Sequence, residues 1–199
     1  MDRSTDLRLP LVDVAWPGRS LRRNAIIVVT GSLLVALSAQ IEIPLQPVPI
    51  TGQTFGVLLV GALLGSGRGG LSMLMYLSLG AMGLPMFAGG SSGVARLIGP
   101  TGGYLVGFVA AAYVVGWLAE RGWDRRIGTT ALAMLLGTLV IYVPGVAWLS
   151  VFVGWAEVLG VGVKPFILGD LLKVGLAALV LPWGWIVLGS DNPSDGTVE

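Results

Sequence analysis

Long apolar runs alternate with short breaks rich in polar residues, proline and glycine along this chain. A helix needs about 20 residues to cross the hydrocarbon core of a bilayer, and somewhat fewer when other helices surround it. Six runs meet that condition, and we predict spans at 24–41, 51–65, 70–84, about 100–119, 128–147 and 166–189. The pattern therefore predicts an all-α membrane protein with six transmembrane helices.

The breaks between the runs have distinct characters. "GSGRGG" predicts a tight turn between the second and third spans, and glycine and proline interrupt "GLPMFAGGSSGVARLIGPTGG" too often for a regular span. Residues 148–165 are apolar and glycine-rich, and we expect them to lie at the interface or fold back over the bundle. Small residues four apart, which let helix backbones approach closely, occur at Gly61, Gly65, Gly99, Gly103, Gly107 and Ala111.

The two ends of the chain are more polar than the middle. We predict a cytoplasmic N-terminal arm at 1–23, a six-helix substrate-binding domain at 24–189 and a polar tail at 190–199. The arm has no short apolar region ending in a cleavage site, so it is expected to be retained. Within it, "LRLPLVDVAW" either forms part of an unstructured tail, the favoured interpretation, or lies on the membrane surface.

The distribution of Lys and Arg predicts the orientation of the spans, because cytoplasmic loops are enriched in these residues. Of the 12 such residues, nine fall on one side of the six-span arrangement. They are Arg3, Arg8, Arg19, Arg22, Arg23, Arg68, Arg121, Arg125 and Arg126. The opposite loops hold Arg96 and Lys164, so both termini are expected in the cytoplasm.

Composition agrees with a membrane protein and excludes several classes of activity. Apolar residues make up 54% and charged residues 12% of the chain, against about 25% charge in ordinary soluble domains. His and Cys are absent, which excludes thiol and imidazole nucleophiles and predicts no His/Cys metal site and no cofactor. No GxxxxGK[ST] sequence occurs, so we expect no ATPase activity, and the net charge of +1 gives no sign of nucleic-acid binding.

Two charged residues lie inside the last predicted span. Asp170 and Lys173 are three residues apart and so share one helix face. Each charge costs roughly 2.5–3.5 kcal/mol at mid-membrane, so both should face inward. Either they form part of a ligand site, or they are a structural ion pair, or the lysine extends along its stem to the interface.

Further polar and aromatic residues are expected at the same end of the bundle. They are Thr51, Gln53, Ser91, Arg96, Thr101 and Tyr104, with aromatic walls from Phe55, Tyr76, Phe87 and Tyr142. Thr51 is equally consistent with an N-cap, and Arg96 with a place among lipid headgroups. Together these residues suit a small ligand with an apolar body, an anionic end and amide-like polar groups.

Four ordered motifs carry a resemblance to a known family. "IPLQPVPITGQTFGVLLVGALLG", "GAMGLPMFAGGSSG", "GPTGGYLVGF" and "PFILGDLLK" together resemble the BioY family, the biotin-specific S components of energy-coupling factor (ECF) transporters. The resemblance covers about residues 25–188 and implies a six-helix S-component fold with a substrate cavity near the extracellular face. It also implies a multi-pass location in the inner or plasma membrane of a prokaryote.

The resemblance assigns roles to particular residues. Asp170 and Lys173 occupy the family's G-D-x-x-K motif, and Gln53 and Ser91 are further expected ligand contacts. For biotin, Asp170 would accept a ureido N–H, while Lys173 would donate to the ureido oxygen or pair with the carboxylate; both possibilities stay open.

Partners are also implied by the resemblance. A transmembrane T component and two ATPase subunits power uptake in the family, although some members have been proposed to act alone. The family docks through small residues on the first helix, represented here by Ser32, Ala36 and Ala39. Two alternatives remain, an S component for another small vitamin, and a membrane assembly subunit in which Asp170 and Lys173 bind a partner helix.

Overall fold

A computed structural model describes residues 9–18 and 20–188, and it is mainly helical there. The whole of the predicted C-terminal tail, Gly189, residues 1–8 of the arm and Arg19 lie outside the described residues. The α-helices of the described part are α1 Leu11–Ala15, α2 Leu21–Ala39, α3 Gln53–Leu64, α4 Ser66–Ala81, α5 Val94–Ile98, α6 Gly102–Ala119, α7 Ile127–Val153, α8 Val158–Gly162 and α9 Ile167–Val187.

Each of the six predicted spans coincides with one of the longer helices, namely α2, α3, α4, α6, α7 and α9. Four helical stretches are long and apolar enough to cross a membrane, at Leu21–Ala39, Gly102–Ala119, Ile127–Val153 and Val158–Val187. α3 and α4 are shorter, with 12 and 16 residues. The fold therefore contains an integral membrane core.

Two predicted helix boundaries are wrong. α4 begins at Ser66, not near residue 70, because the turn needs only Gly65, whose φ of 81° favours glycine. α7 runs to Val153, six residues beyond the predicted 147, and Pro144 lies within it. Proline is tolerated inside membrane helices because neighbouring groups satisfy the freed backbone. The segment predicted to fold back is thus reduced to α8 and a 3₁₀ turn at Lys164–Phe166.

Part of the N-terminal arm is helical, contrary to the unstructured tail that the sequence favoured. Asp13 in α1 accepts from Arg23 Nη2 of α2 at 2.7 Å and from Arg68 Nη1 of α4 at 2.8 Å. The hydrogen bond from Arg68, followed by that from Arg23, lowers the pKa of the Asp13 carboxyl below its ordinary value. These two ion pairs fix α1 against the bundle.

A short antiparallel hairpin follows α2, and no strand was predicted there. Its strands, β1 Glu42–Ile43 and β2 Ile50–Thr51, pair Glu42 with Thr51 and Ile43 with Ile50. The hairpin leads directly into α3, so it brings Val48 and Thr51 to the same end of the bundle as the start of that helix.

α6 is the central helix of the bundle and packs against α3, α4 and α7. Glycines allow two of these contacts, as their spacing predicts. A Cβ added at Gly61 of α3 would lie 2.6 Å from Ala112 O of α6, and one at Gly103 would lie 2.3 Å from Pro144 O of α7. Gly107 meets α7 similarly at Ile141, whereas Gly99 approaches only its own turn.

The small residues of α2 face the interior of the bundle. Ser32, Ala36 and Ala39 are buried, and α2 packs on α3 and α4. The three side chains are enclosed by this packing, and their role in docking a partner stays a prediction. The outer face of α2 carries larger exposed side chains, Ile26, Val29, Leu33 and Leu37.

The contact between α3 and α6 provides a test of this packing. We expect Gly61→Ala to destabilise the protein by about 1–3 kcal/mol, because the added methyl group would overlap the backbone of α6. Gly67→Ala is the matched control, since Gly67 is an exposed helical residue whose added Cβ meets nothing within 4 Å. Thermal unfolding in detergent measures both, and equal midpoints for the two variants would contradict the close approach.

Candidate functional site

A cavity opens at the end of the bundle where the hairpin, the start of α3 and the irregular segment before α5 meet. It encloses about 690 Å³ between its walls, solvent at its mouth included. Seven of the nine predicted ligand-binding residues line it, namely Thr51, Gln53, Phe87, Ser91, Arg96, Tyr104 and Lys173. The other two, Asp170 and Tyr76, lie behind the wall, each one hydrogen bond away from it.

Lys173 of α9 presents its ammonium group to acceptors from α9 and the start of α3. Its Nζ donates to Thr51 O at 2.8 Å, to Thr54 Oγ1 at 2.8 Å and to Asp170 Oδ1 at 3.0 Å. An ammonium group has three hydrogens, so these protein acceptors already use its donors. The lysine therefore extends into the bundle and is not directed along its stem towards the membrane surface.

Asp170 is buried, and donors from two other helices surround it. Thr54 Oγ1 of α3 donates to its Oδ1 at 3.3 Å, and the Tyr142 hydroxyl of α7 donates to its Oδ2 through a short bond. With Lys173, these donors hold both carboxylate oxygens. The i, i+3 spacing predicted that the two residues share one helix face, and the contacts of the pair join α9 to α3 and α7.

A second polar group forms at the first turn of α3. Gln53 Nε2 donates to the Tyr76 hydroxyl of α4, and Gln53 Oε1 accepts from Thr51 Oγ1 at 3.0 Å. The Thr51 hydroxyl also accepts from the Gln53 backbone N–H at 3.2 Å, the i to i+2 bond of a threonine turn. The N-cap of α3 is Gly52, so the interpretation of Thr51 as an N-cap is wrong. The amide of Gln53 is thus held in one orientation at the cavity wall, with one N–H and one lone pair left for another partner.

Aromatic rings form much of the remaining wall. Phe87 packs edge-on against Tyr76, with ring centroids 5.5 Å apart, and Tyr104 packs edge-on against Tyr142 at 6.2 Å. The Tyr104 hydroxyl donates to Gly162 O at 2.8 Å, so its ring edge is fixed by α8. Apolar residues complete the lining: Val48, Pro49, Ala88, Leu105, Phe108, Ile141 and Phe166. The predicted aromatic wall residue Phe55 does not line the cavity.

Arg96 differs from the other cation of the site. It lines the cavity from α5 and is exposed. Within the described residues, neither a hydrogen bond nor an ion pair is found for its guanidinium group. Ser91, the other predicted residue of this side, donates its hydroxyl to Ala88 O at 2.6 Å.

Sequence reasoning missed Thr54 and assigned Tyr142 only an aromatic role. Both hydrogen-bond to Asp170, and both line the cavity. One sequence signal for Thr54 was present: its hydroxyl is next to Gln53 in the first turn of a short helix.

In the described part of the chain no cluster of three or more acidic side chains could hold a metal ion.

Comparison with protein families identifies the chain. The BioY family model matches residues 11–189. The chain belongs to the BioY family. It is 44% identical over 147 residues to the probable biotin transporter BioY of Pyrococcus horikoshii, covering 74% of this chain and 86% of that one. It is 42% identical over 152 residues to the biotin transporter BioY of Thermotoga maritima, with the same coverage.

A solved structure agrees with the fold of this BioY family member. The S component for biotin from an ECF-type ABC transporter superposes with a TM-score of 0.70 at 24% sequence identity. The match covers 83% of this chain and 94% of that chain. The architecture is therefore that of an S component.

The ion pair can be tested without any ligand. We expect Lys173→Met to lower the thermal unfolding midpoint in detergent by on the order of 5 °C, because it leaves a buried carboxylate without its cation. The double variant Asp170→Asn with Lys173→Met should recover most of that loss, since no unpaired charge remains. Lys164→Met, at an exposed position, is the matched control. A double variant no more stable than the single one would contradict the explanation by an unpaired buried charge.

Proposed function

We propose that this chain captures biotin from outside the cell and takes it up as the S component of an ECF-type transporter, with separate T and ATPase subunits supplying the energy. The cavity carries this proposal, because it combines an apolar, aromatic body with an oriented amide and two cationic side chains. Relatives at 44% and 42% identity are biotin transporters by name, and they agree with it. The role is that of a transporter subunit.

Biotin has three chemically distinct parts, and the cavity offers a counterpart for each. The aromatic and aliphatic wall suits the thioether ring. Gln53 offers one N–H and one lone pair, the complement of a ureido group. Arg96 offers unused donors to the valerate carboxylate, and arginine binds carboxylates with two parallel hydrogen bonds.

Asp170 and Lys173 have a different position from that of Arg96. Lys173 is at the wall with its ammonium hydrogens engaged, and Asp170 lies behind it. We propose that the pair forms the polar floor on which the ureido ring sits, with Lys173 exchanging one protein acceptor for the ureido oxygen. In this assignment the valerate carboxylate of biotin pairs with Arg96.

The arrangement in the membrane is also a proposal: six spans and both termini in the cytoplasm. Contacts at one end of the bundle support it, because Asp13 joins the starts of α2 and α4, and Glu120 accepts from Ser66. The cavity lies at the opposite end, which would face outward. The division into an arm at 1–23, a domain at 24–189 and a tail at 190–199 is proposed from the sequence.

The ligand's identity has a direct test. We expect mass spectrometry of small molecules that co-purify with the detergent-solubilised protein to find biotin. A different vitamin would overturn the biotin assignment and retain the S component. No ligand after growth in ligand-rich medium would favour the assembly-subunit alternative.

Substitution of the charged pair should abolish high-affinity binding. We expect Asp170→Asn and Lys173→Ala each to remove high-affinity biotin binding in calorimetry while the protein still inserts, because each breaks the buried network at the cavity wall. Lys164→Ala serves as the control, since Lys164 is exposed and does not line the cavity. Near-normal affinity in either site variant would refute the role of the pair.

The role of Arg96 can be separated from that of the pair with a modified ligand. We expect Arg96→Gln to weaken binding of biotin by roughly 10- to 100-fold, the worth of a charge-assisted hydrogen bond. Binding of biotin amide, which lacks the carboxylate, should change by less than about threefold on the same substitution. Equal losses for the two ligands would show that Arg96 does not pair with the carboxylate.

A further inference from the structure

One side chain outside the cavity wall fastens the segment that covers it. We propose that Gln40 is a positioning residue that holds residues 87–91 over the cavity and thereby sets how long a bound ligand is retained. The part of this inference that concerns ligand retention rests on the proposed function. The part that concerns the position of residues 87–91 rests on the geometry alone.

Gln40 is the C-cap of α2, and its side-chain amide joins that helix to the segment before α5. Its Nε2 donates to Phe87 O at 3.2 Å and to Ala36 O at 3.0 Å. Its Oε1 accepts from the Gly90 N–H at 2.9 Å. One amide therefore holds two backbone groups, three residues apart, on the segment that provides Phe87, Ala88 and Ser91 to the wall.

The segment has a fixed side chain at one end and two glycines beyond it. The Phe87 ring is buried against Tyr76, and a Cβ added at Gly80 would overlap it. Gly89 and Gly90 both have positive φ, 62° and 68°, a conformation that glycine adopts without strain. The two glycines also lack side chains that could anchor them. Backbone hydrogen bonds from Phe87 N–H to Ser91 O and from Ser91 N–H to Ala88 O close the segment on itself. Among the described residues, the hydrogen bond from Gly90 to Gln40 is the one that ties the backbone between Ala88 and Ser91 to another helix.

Gln40 also marks the point where the hairpin leaves α2. The next residue, Ile41, accepts from the Gly52 N–H at 2.9 Å, which closes the base of the hairpin. The hairpin supplies Val48, Pro49 and Thr51 to the opposite wall. Both covering segments are therefore tied to the end of α2, and loss of the Gln40 amide would release one of them while leaving the other in place.

The first measurement needs no ligand. In the ligand-free protein, we expect Gln40→Met to speed amide hydrogen exchange in a peptide covering residues 88–91 by about tenfold or more, because methionine keeps the length of the side chain and removes its hydrogen bonds. Gln46→Met is the matched control, since Gln46 is exposed in the hairpin loop and does not line the cavity. Unchanged exchange in Gln40→Met would overturn the positioning role.

The second measurement concerns retention. We expect Gln40→Met to raise the dissociation rate of labelled biotin, chased with excess unlabelled biotin, by roughly tenfold, and that of biotin amide by the same factor, because Gln40 touches neither ligand. Gln40→Glu keeps the acceptor for Gly90 and loses the donor to Phe87. Its dissociation rate should therefore lie between those of the unsubstituted protein and Gln40→Met. Faster exchange with an unchanged dissociation rate would overturn the link to retention. Failure of the unsubstituted protein to bind biotin would contradict the proposed function. The hydrogen-exchange measurement would still test whether Gln40 positions residues 87–91.

Discussion

The ion pair between Asp170 and Lys173 is the constraint on which the site depends. Charged groups inside a membrane bundle need partners, and neither residue finds all of its partners on its own helix. Lys173 binds Thr51 and Thr54 at the start of α3, and Asp170 binds Tyr142 of α7. Satisfying two charges therefore fixes three helices at one point, and the cavity lies at that point.

The first turn of α3 connects this charged group to the rest of the wall. Gln53 and Thr54 are adjacent, so their side chains point about 100° apart around the helix axis. Gln53 reaches Tyr76 of α4, whereas Thr54 reaches Asp170 and Lys173 of α9. α3 is short and mostly buried, and it contacts α2, α4, α6, α7 and α9. A short, buried helix whose first turn forms hydrogen bonds in two directions explains how the polar lining keeps one arrangement.

The sequence predicted the helices and the principal charged residues because those features are local. Apolar runs locate α2, α6 and α9, and the i, i+3 spacing of Asp170 and Lys173 predicts that they share one helix face. The partners of the pair are long-range, and a single threonine such as Thr54 has no periodic signal. The same limit hid α1, whose position depends on Arg68, a residue 55 positions from Asp13. Lys173 lies at the cavity wall and Asp170 lies behind it. These positions follow from the packing of the helices and could not be predicted from the spacing.

The orientation of α2 shows why small residues do not by themselves identify a docking face. Small side chains predict that another backbone approaches closely, but they do not say whether it belongs to the same chain. Here a Cβ added at Gly31 would lie 2.6 Å from Ser72 Oγ of α4, so the close approach is made within the bundle. A partner that binds α2 without separating it from α4 meets Ile26, Val29, Leu33 and Leu37 instead. Such a contact would depend on the fit of large aliphatic side chains, and it would leave Gln40 and the cover it holds undisturbed at the end of the helix.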